Sequence, residues 1–126
     1  MYKLALLGLA AAALLAIPGC SMAAKGYTKV SPEVGKEMLA KDKITLVDVR
    51  EVQEFSAGHI PGAKLISLGT IEREAPKQLK DKKAKIMVYC RSGVRSKKAA
   101  DQLLSMGYEE VYDLGGIIDW PYEVEK

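Results

Sequence analysis

The chain is 126 residues long and 48% of them are hydrophobic, which is room for one domain and excludes a disordered chain. Nineteen lysines and arginines stand against 16 acidic residues, and a formal charge of +3 is too small a surplus to call for a nucleic-acid partner. The sequence holds two cysteines and one histidine.

The hydrophobic share is concentrated at the front, where fifteen of the first nineteen residues are apolar and Lys3 alone is charged. Leu4 to Ile17 is an apolar run interrupted only by Gly8. It is shorter than the roughly 20 residues of a membrane span and suits the core of a secretory signal. Ile17-Pro18-Gly19-Cys20-Ser21 resembles the lipobox of bacterial lipoproteins, in which the cysteine is acylated and becomes the new N-terminus. Pro18 departs from the small residue usual at its place, and a cut by ordinary signal peptidase near Ser21-Met22-Ala23 is the alternative. Ser21 is not the aspartate that marks inner-membrane retention in that class, so the resemblance implies an outer-membrane anchor facing the periplasm. The expected organisation is a signal peptide over 1–19, a lipid-anchored linker over 20–26 and one domain over 27–126. An exported chain with two cysteines ordinarily carries one disulfide. With Cys20 acylated, however, Cys90 is a free thiol, a hazard in an oxidising compartment unless it is used.

Within the domain, Tyr27 to Val30 predicts a short strand. Ser31-Pro32-Glu33 supplies an N-cap, a proline at the first helical position and an acidic first turn, opening a helix through Ala40. Ile44 to Val49 is apolar without strict alternation, as in a strand buried on both faces. Glu51 to Ala57 is a short helix ended by Gly58, and Lys64 to Ile66 a short strand. Thr70 to Lys80 is a polar helix disturbed by Pro76, and Lys85 to Tyr89 the fourth strand. A loop from Cys90 to Arg95 leads into a helix from about Ser96 to Met106, whose apolar face is Ala99, Ala100, Leu103 and Leu104. Glu110 to Asp113 is the fifth strand, and Gly115-Gly116 turns the chain toward Trp120. Strands alternating with helices predict an α/β domain, its sheet largely parallel and covered on both faces.

Chemistry concentrates at Cys90-Arg91-Ser92-Gly93-Val94-Arg95-Ser96. In α/β sheets ligands sit beyond the carboxyl ends of the strands, where this segment begins. A loop entering a helix there points backbone N–H groups into one hollow, and the helix dipole adds positive potential. Gly93 permits a tight curl, and Arg91 and Arg95 bring permanent charge, so the hollow favours a thiolate and an anion brought to it.

Asp48-Val49-Arg50-Glu51, Glu54-Phe55 and Gly58-His59-Ile60-Pro61-Gly62-Ala63 together resemble the first signature of rhodanese domains. The Cys90 to Ser96 loop resembles their active-site loop, and Leu114-Gly115-Gly116-Ile117-Ile118-Asp119-Trp120 their closing signature. In the expected order, these segments cover Tyr27 to about Tyr122. The resemblance implies a three-layer rhodanese-like fold with a five-stranded, mainly parallel sheet in the order 1-5-4-2-3. It also implies transfer of a sulfane sulfur from a donor such as thiosulfate to Cys90, forming a persulfide, and on to cyanide or a thiol. No cofactor and no metal are expected, since no His, Cys, Asp and Glu cluster has ligand spacing. The expected partners are a small anionic sulfur donor, a thiol or cyanide acceptor and a periplasmic protein acceptor, with the chain itself a monomer. The alternative is a persulfide carrier or binding module serving one such protein, with little small-molecule turnover.

Four residues separate Cys90 from Arg95, a C-x4-R loop. Tyrosine phosphatases carry C-x5-R, and the phosphatase and arsenate reductase relatives of rhodaneses have a loop one residue longer, so the shorter ring suits one sulfur atom better than a tetrahedral oxyanion. Cys90 is the candidate nucleophile, against the bland reading of a small buried residue. Arg91, Ser92, Gly93, Val94, Arg95 and Ser96 are candidates for substrate binding, although the serines also read as helix caps and the arginines as solvated charges. Asp48, Arg50 and His59 are candidates for structural support of the loop, Cys20 for lipidation, and Trp120 for the core.

Overall fold

The computed structural model describes residues 26–126, so the expected signal peptide, the Cys20 lipidation site and nearly all of the linker lie outside the described residues. Five strands form one sheet: β1 Thr28–Lys29, β2 Ile44–Asp48, β3 Lys64–Leu65, β4 Lys85–Cys90 and β5 Glu110–Gly116. Every neighbouring pair is parallel, and the order β1-β5-β4-β2-β3 is the one the resemblance implied. The helices are α1 Pro32–Lys41, α2 Val52–Ala57, α3 Ile71–Gln78 and α4 Val94–Ser105, with single 3-10 turns at Leu68–Thr70 and Ile117–Asp119. Among the described residues no helix is long and apolar enough to cross a membrane.

Alternation along β4 sorts the core into two layers. Ile86, Val88 and Cys90 point to one face, where Ile71 and Ala75 of α3 and Ala99, Ala100 and Leu103 of α4 cover them. Met87 and Tyr89 point to the other, where Leu46, Ile60 and Leu114 meet Met38 and Leu39 of α1, with Trp120 packed at the edge. Burial on both faces explains why the central strands read as continuous apolar runs. Local chemistry sets the helix ends. The Ser31 hydroxyl accepts the Val34 N–H at 3.2 Å, Pro32 occupies the first turn, and Pro76 inside α3 leaves the Glu72 carbonyl without its helical N–H partner.

Several boundaries differ from those read in the sequence, and three of them adjoin the loop. β4 extends through Cys90, because Cys90 still pairs with Gly116. The last helix begins at Val94 rather than Ser96, which moves Arg95 and Ser96 into its first turn. β5 does not stop at Asp113 but runs through Gly116, passing a bulge in which Leu114 is the extra residue between the Val88–Asp113 and Tyr89–Gly115 pairs. Gly115 takes a φ of +89° there, and its N–H donates to Asp113 Oδ1 at 2.9 Å. The chain end folds back: His59 and Glu125 exchange two backbone hydrogen bonds of 2.8 Å.

A Cβ at Gly116 would overlap the Arg91 carbonyl and approach Ser92 Cα to 2.6 Å, both backbone atoms that cannot swing aside. Gly116→Ala is therefore expected to cost about 1–3 kcal/mol of stability in urea unfolding. Gly69→Ala, where a Cβ meets nothing within 4 Å, serves as the control and should be neutral or slightly stabilising.

Candidate active site

Cys90 is the last paired residue of β4 and is fully buried. Three residues then turn the chain into α4, with Gly93 at a φ of +105°, a conformation that L side chains rarely adopt. The turn aims two amides at one atom: Cys90 Sγ accepts the Gly93 N–H at 3.0 Å and the Ser96 N–H at 3.3 Å. Ser96 is itself buried, and its hydroxyl donates to the carbonyls of Gly93 at 3.2 Å and Gly115 at 3.5 Å, tying the loop to the bulge of β5. Opposite, the Ile118 N–H donates to the Arg91 carbonyl at 3.2 Å. The sulfur thus sits against two backbone amides at the N-terminus of α4.

The two loop arginines have different environments. Arg91 is exposed and has no carboxylate within ion-pair distance among the described residues. It borders a hollow of about 400 Å³ whose wall includes Glu54, Ile118 and Val124. Arg95 is half-buried and engaged: its two terminal nitrogens donate to the two Glu54 oxygens at 2.8 and 3.0 Å. Glu54 Oε2 also accepts the Glu51 N–H at 3.1 Å. The hydrogen bond from Arg95 is the main reason the Glu54 carboxyl is held at about 2, far below the usual carboxylate range. Ser92 and Val94 are exposed on the loop, and neither is drawn toward the sulfur by a side-chain hydrogen bond.

Behind the loop lies a buried ion pair. Arg50 donates to Asp48 through Nε and Nη2, the shortest contact being 2.7 Å, and also to the Gly58 carbonyl at 2.7 Å. Its guanidinium lies over the Tyr89 ring, 5.7 Å from the centroid. The Tyr89 hydroxyl accepts the Ile60 N–H at 3.0 Å, and burial pushes that hydroxyl up from its ordinary range. His59 stacks on Phe55 with centroids 3.7 Å apart. Its Nδ1 donates to the Phe55 carbonyl at 2.9 Å, which leaves Nε2 facing Glu125 at 3.6 Å. Asp48, Arg50 and His59 therefore join β2, α2 and the chain end, and none of them hydrogen-bonds Cys90.

Sequence reasoning assigned no role to Glu54 or Asp113. Glu54 stood inside a quoted signature, but nothing in one dimension connects it with a partner 41 positions away. Asp113 is buried, braces the bulge through Gly115 and meets Lys29 at 3.8 Å; the Glu-Val-Tyr-Asp strand gave no signal that its last acid would be buried.

The sequence profile of the rhodanese-like domain matches residues 31–122. The chain belongs to the rhodanese family. Among curated relatives, the thiosulfate sulfurtransferase GlpE of Coxiella burnetii (strain RSA 493 / Nine Mile phase I) is 32% identical over 95 residues, covering 75% of this chain and 87% of that one. YrkF of Bacillus subtilis (strain 168), named as a sulfur carrier, is 32% identical over 104 residues; the match covers 81% of this chain and 55% of YrkF. Among solved structures, the rhodanese-like domain of the Anabaena sp. Alr3790 protein superposes with a TM-score of 0.72 at 28% identity, with 77% of each chain covered. Family and relatives together support sulfur transfer as this rhodanese's chemistry.

The Glu54–Arg95 pair carries a pH signature. Because the folded-state pKa of Glu54 lies below its ordinary value of 4.5, the stabilisation is fully present above about pH 4.5 and is lost as pH falls toward 2. Urea midpoints measured from pH 6 down to about pH 2 should fall less steeply in Glu54→Gln than in the wild type. Parallel slopes would show that the pair adds nothing to stability.

Proposed function

We propose that this rhodanese is a thiosulfate-type sulfurtransferase in which Cys90 carries the sulfur. The observation behind this reading is the convergence of the Gly93 and Ser96 amides on Cys90 Sγ at the carboxyl end of the central strand. In the first half-reaction the Cys90 thiolate attacks the outer sulfur of thiosulfate. The donor S–S bond breaks, sulfite leaves with the electron pair, and a Cys90 persulfide remains. In the second, cyanide or a thiolate attacks the outer persulfide sulfur, and Cys90 departs as a thiolate while thiocyanate or an alkyl persulfide is released. No cysteine other than Cys90 lies among the described residues, so the sulfur leaves to an external acceptor in a ping-pong scheme. The loop amides hold the charged outer sulfur as an oxyanion hole holds oxygen. In this scheme the segment Arg91 to Ser96 encloses the site where substrate meets Cys90, and Asp48, Arg50 and His59 support it.

A second reading makes the protein a persulfide carrier for one protein partner. It draws on the similarity to YrkF and on the exposed apolar side chains near the loop, Val94 at 62% and Ile118 at 58%. Slow thiosulfate turnover combined with rapid sulfur exchange with a single periplasmic protein would favour it. For either reading, thiosulfate is expected to make the protein heavier by one sulfur in intact mass, and Cys90→Ala to abolish both the mass gain and transfer to cyanide. Unchanged transfer in that variant would sink both readings.

We further propose that the chain is exported and anchored on the periplasmic side of the outer membrane through Cys20, on the strength of the apolar run and the Ile17 to Ser21 motif. Cells grown with radioactive palmitate should label the wild type and leave Cys20→Ala unlabelled. An unlabelled wild type, or label that survives the substitution, ends the lipid-anchor proposal.

A further inference from the structure

The two loop arginines look equivalent in sequence, each a permanent cation within five residues of the nucleophile. In the fold they are not. Both terminal nitrogens of Arg95 are engaged by one carboxylate in the fork-to-fork geometry that gives guanidinium its directional grip. Arg91 is solvent-exposed beside the hollow that adjoins the loop. Arg95 is the second residue of α4, and Ser96, the third, supplies one of the two amides on Cys90 Sγ. Glu54 is in turn held in place, because its Oε2 accepts the Glu51 N–H at the start of α2. The chain of contacts runs from α2 through Glu54 and Arg95 to the first turn of α4 and the sulfur.

We propose that Glu54 is a positioning residue for sulfur transfer: by clasping Arg95 it fixes the first turn of α4 against Cys90, and it leaves Arg91 as the loop cation that receives the anionic donor. This rests on the sulfurtransferase reading above and divides the labour within its site. Arg95 and Glu54 touch neither donor nor acceptor; they set where the Ser96 amide points. Loss of either frees the other from a single geometry, so the loop amides lose alignment in the step where charge moves between sulfur atoms. Loss of Arg91 removes attraction for the anion in ground and transition state alike, which is uniform binding.

The test uses the full chain with Glu54→Gln, Glu54→Asp, Arg95→Gln, Arg91→Gln and the double variant Glu54→Gln/Arg95→Gln. Steady-state transfer from thiosulfate to cyanide is read beside hydrogen exchange of the loop amides. Glu54→Gln and Arg95→Gln are each expected to lower kcat about tenfold with KM for thiosulfate within about twofold, and Arg91→Gln to raise KM about tenfold with kcat within about twofold. The double variant should be no worse than either single one, and Glu54→Asp should recover part of the loss. Exchange of the amides over 91–97 should quicken in Glu54→Gln while the Leu103 turn of α4 stays protected. A raised KM with intact kcat in Arg95→Gln would place that arginine on the donor and overturn the proposal. So would additive losses in the double variant, or loop exchange unchanged by Glu54→Gln. If the wild type turns over no thiosulfate, the sulfurtransferase reading fails, while the exchange experiment still decides whether the clasp orders the loop.

Discussion

The architecture around the sulfur depends on one close approach, that of Gly116 to the backbone of Arg91 and Ser92. Cys90 pairs with Gly116 at the end of β4, and the turn that follows has only three residues in which to reverse direction and enter α4. So short a turn leaves no slack, and it must lie on the neighbouring strand. Only a residue without a Cβ lets β5 pass underneath. The bulge at Leu114 adjoins this contact, and its one extra residue brings Gly115 and Gly116 opposite Tyr89 and Cys90. Once β5 is seated, the Gly115 carbonyl becomes an acceptor for the Ser96 hydroxyl, and the first turn of α4 is held from below.

Charge is arranged in layers behind that contact. The Asp48–Arg50 pair is buried, and a buried pair is stable only when its remaining donors and acceptors are met. Here they are: Asp48 also accepts the Arg50 N–H, and Arg50 also reaches the Gly58 carbonyl. No buried side-chain polar atom among the described residues lacks a partner. The Glu54–Arg95 pair lies farther out, each side chain about 30% exposed, so solvent weakens its contribution to stability and its value is geometric. Moving outward from β2, the ion pairs change from parts of the scaffold to parts of the loop.

Much of this was legible in the sequence where the signal is local. The Ser31-Pro32 helix start, the apolar runs of β2 and β4 and the placement of a cysteine loop at a strand's carboxyl end all follow from neighbouring residues and periodicity. The strand order came only through family resemblance, because alternating strands and helices allow several parallel orders. Contacts that cross between elements left no mark. Glu54 with Arg95, Tyr89 with the Ile60 amide and His59 with Glu125 become neighbours only when β2 lies beside β4 and the chain end returns. The misplaced boundaries have a related cause. A cysteine before Arg-Ser-Gly reads as loop and a Gly-Gly pair as a turn, yet sheet pairing carries both segments on as strand.

Loop size then bears on which chemistry the ring of amides can serve. The Gly93 and Ser96 N–H groups end on Cys90 Sγ itself, at 3.0 and 3.3 Å, so the centre of the ring is occupied by the sulfur. A tetrahedral oxyanion needs a cradle in front of the sulfur with several amides free to face its oxygens. A persulfide would need room for only one more sulfur atom. The same enclosure bears on survival of the thiol. Cys90 has 0% exposed surface, so the loop stands between its thiol and any oxidant or sulfur donor in solvent. The backbone segment that donates to the sulfur is thus also the one that covers it, so in the proposed chemistry access to Cys90 and its activation depend on the same residues.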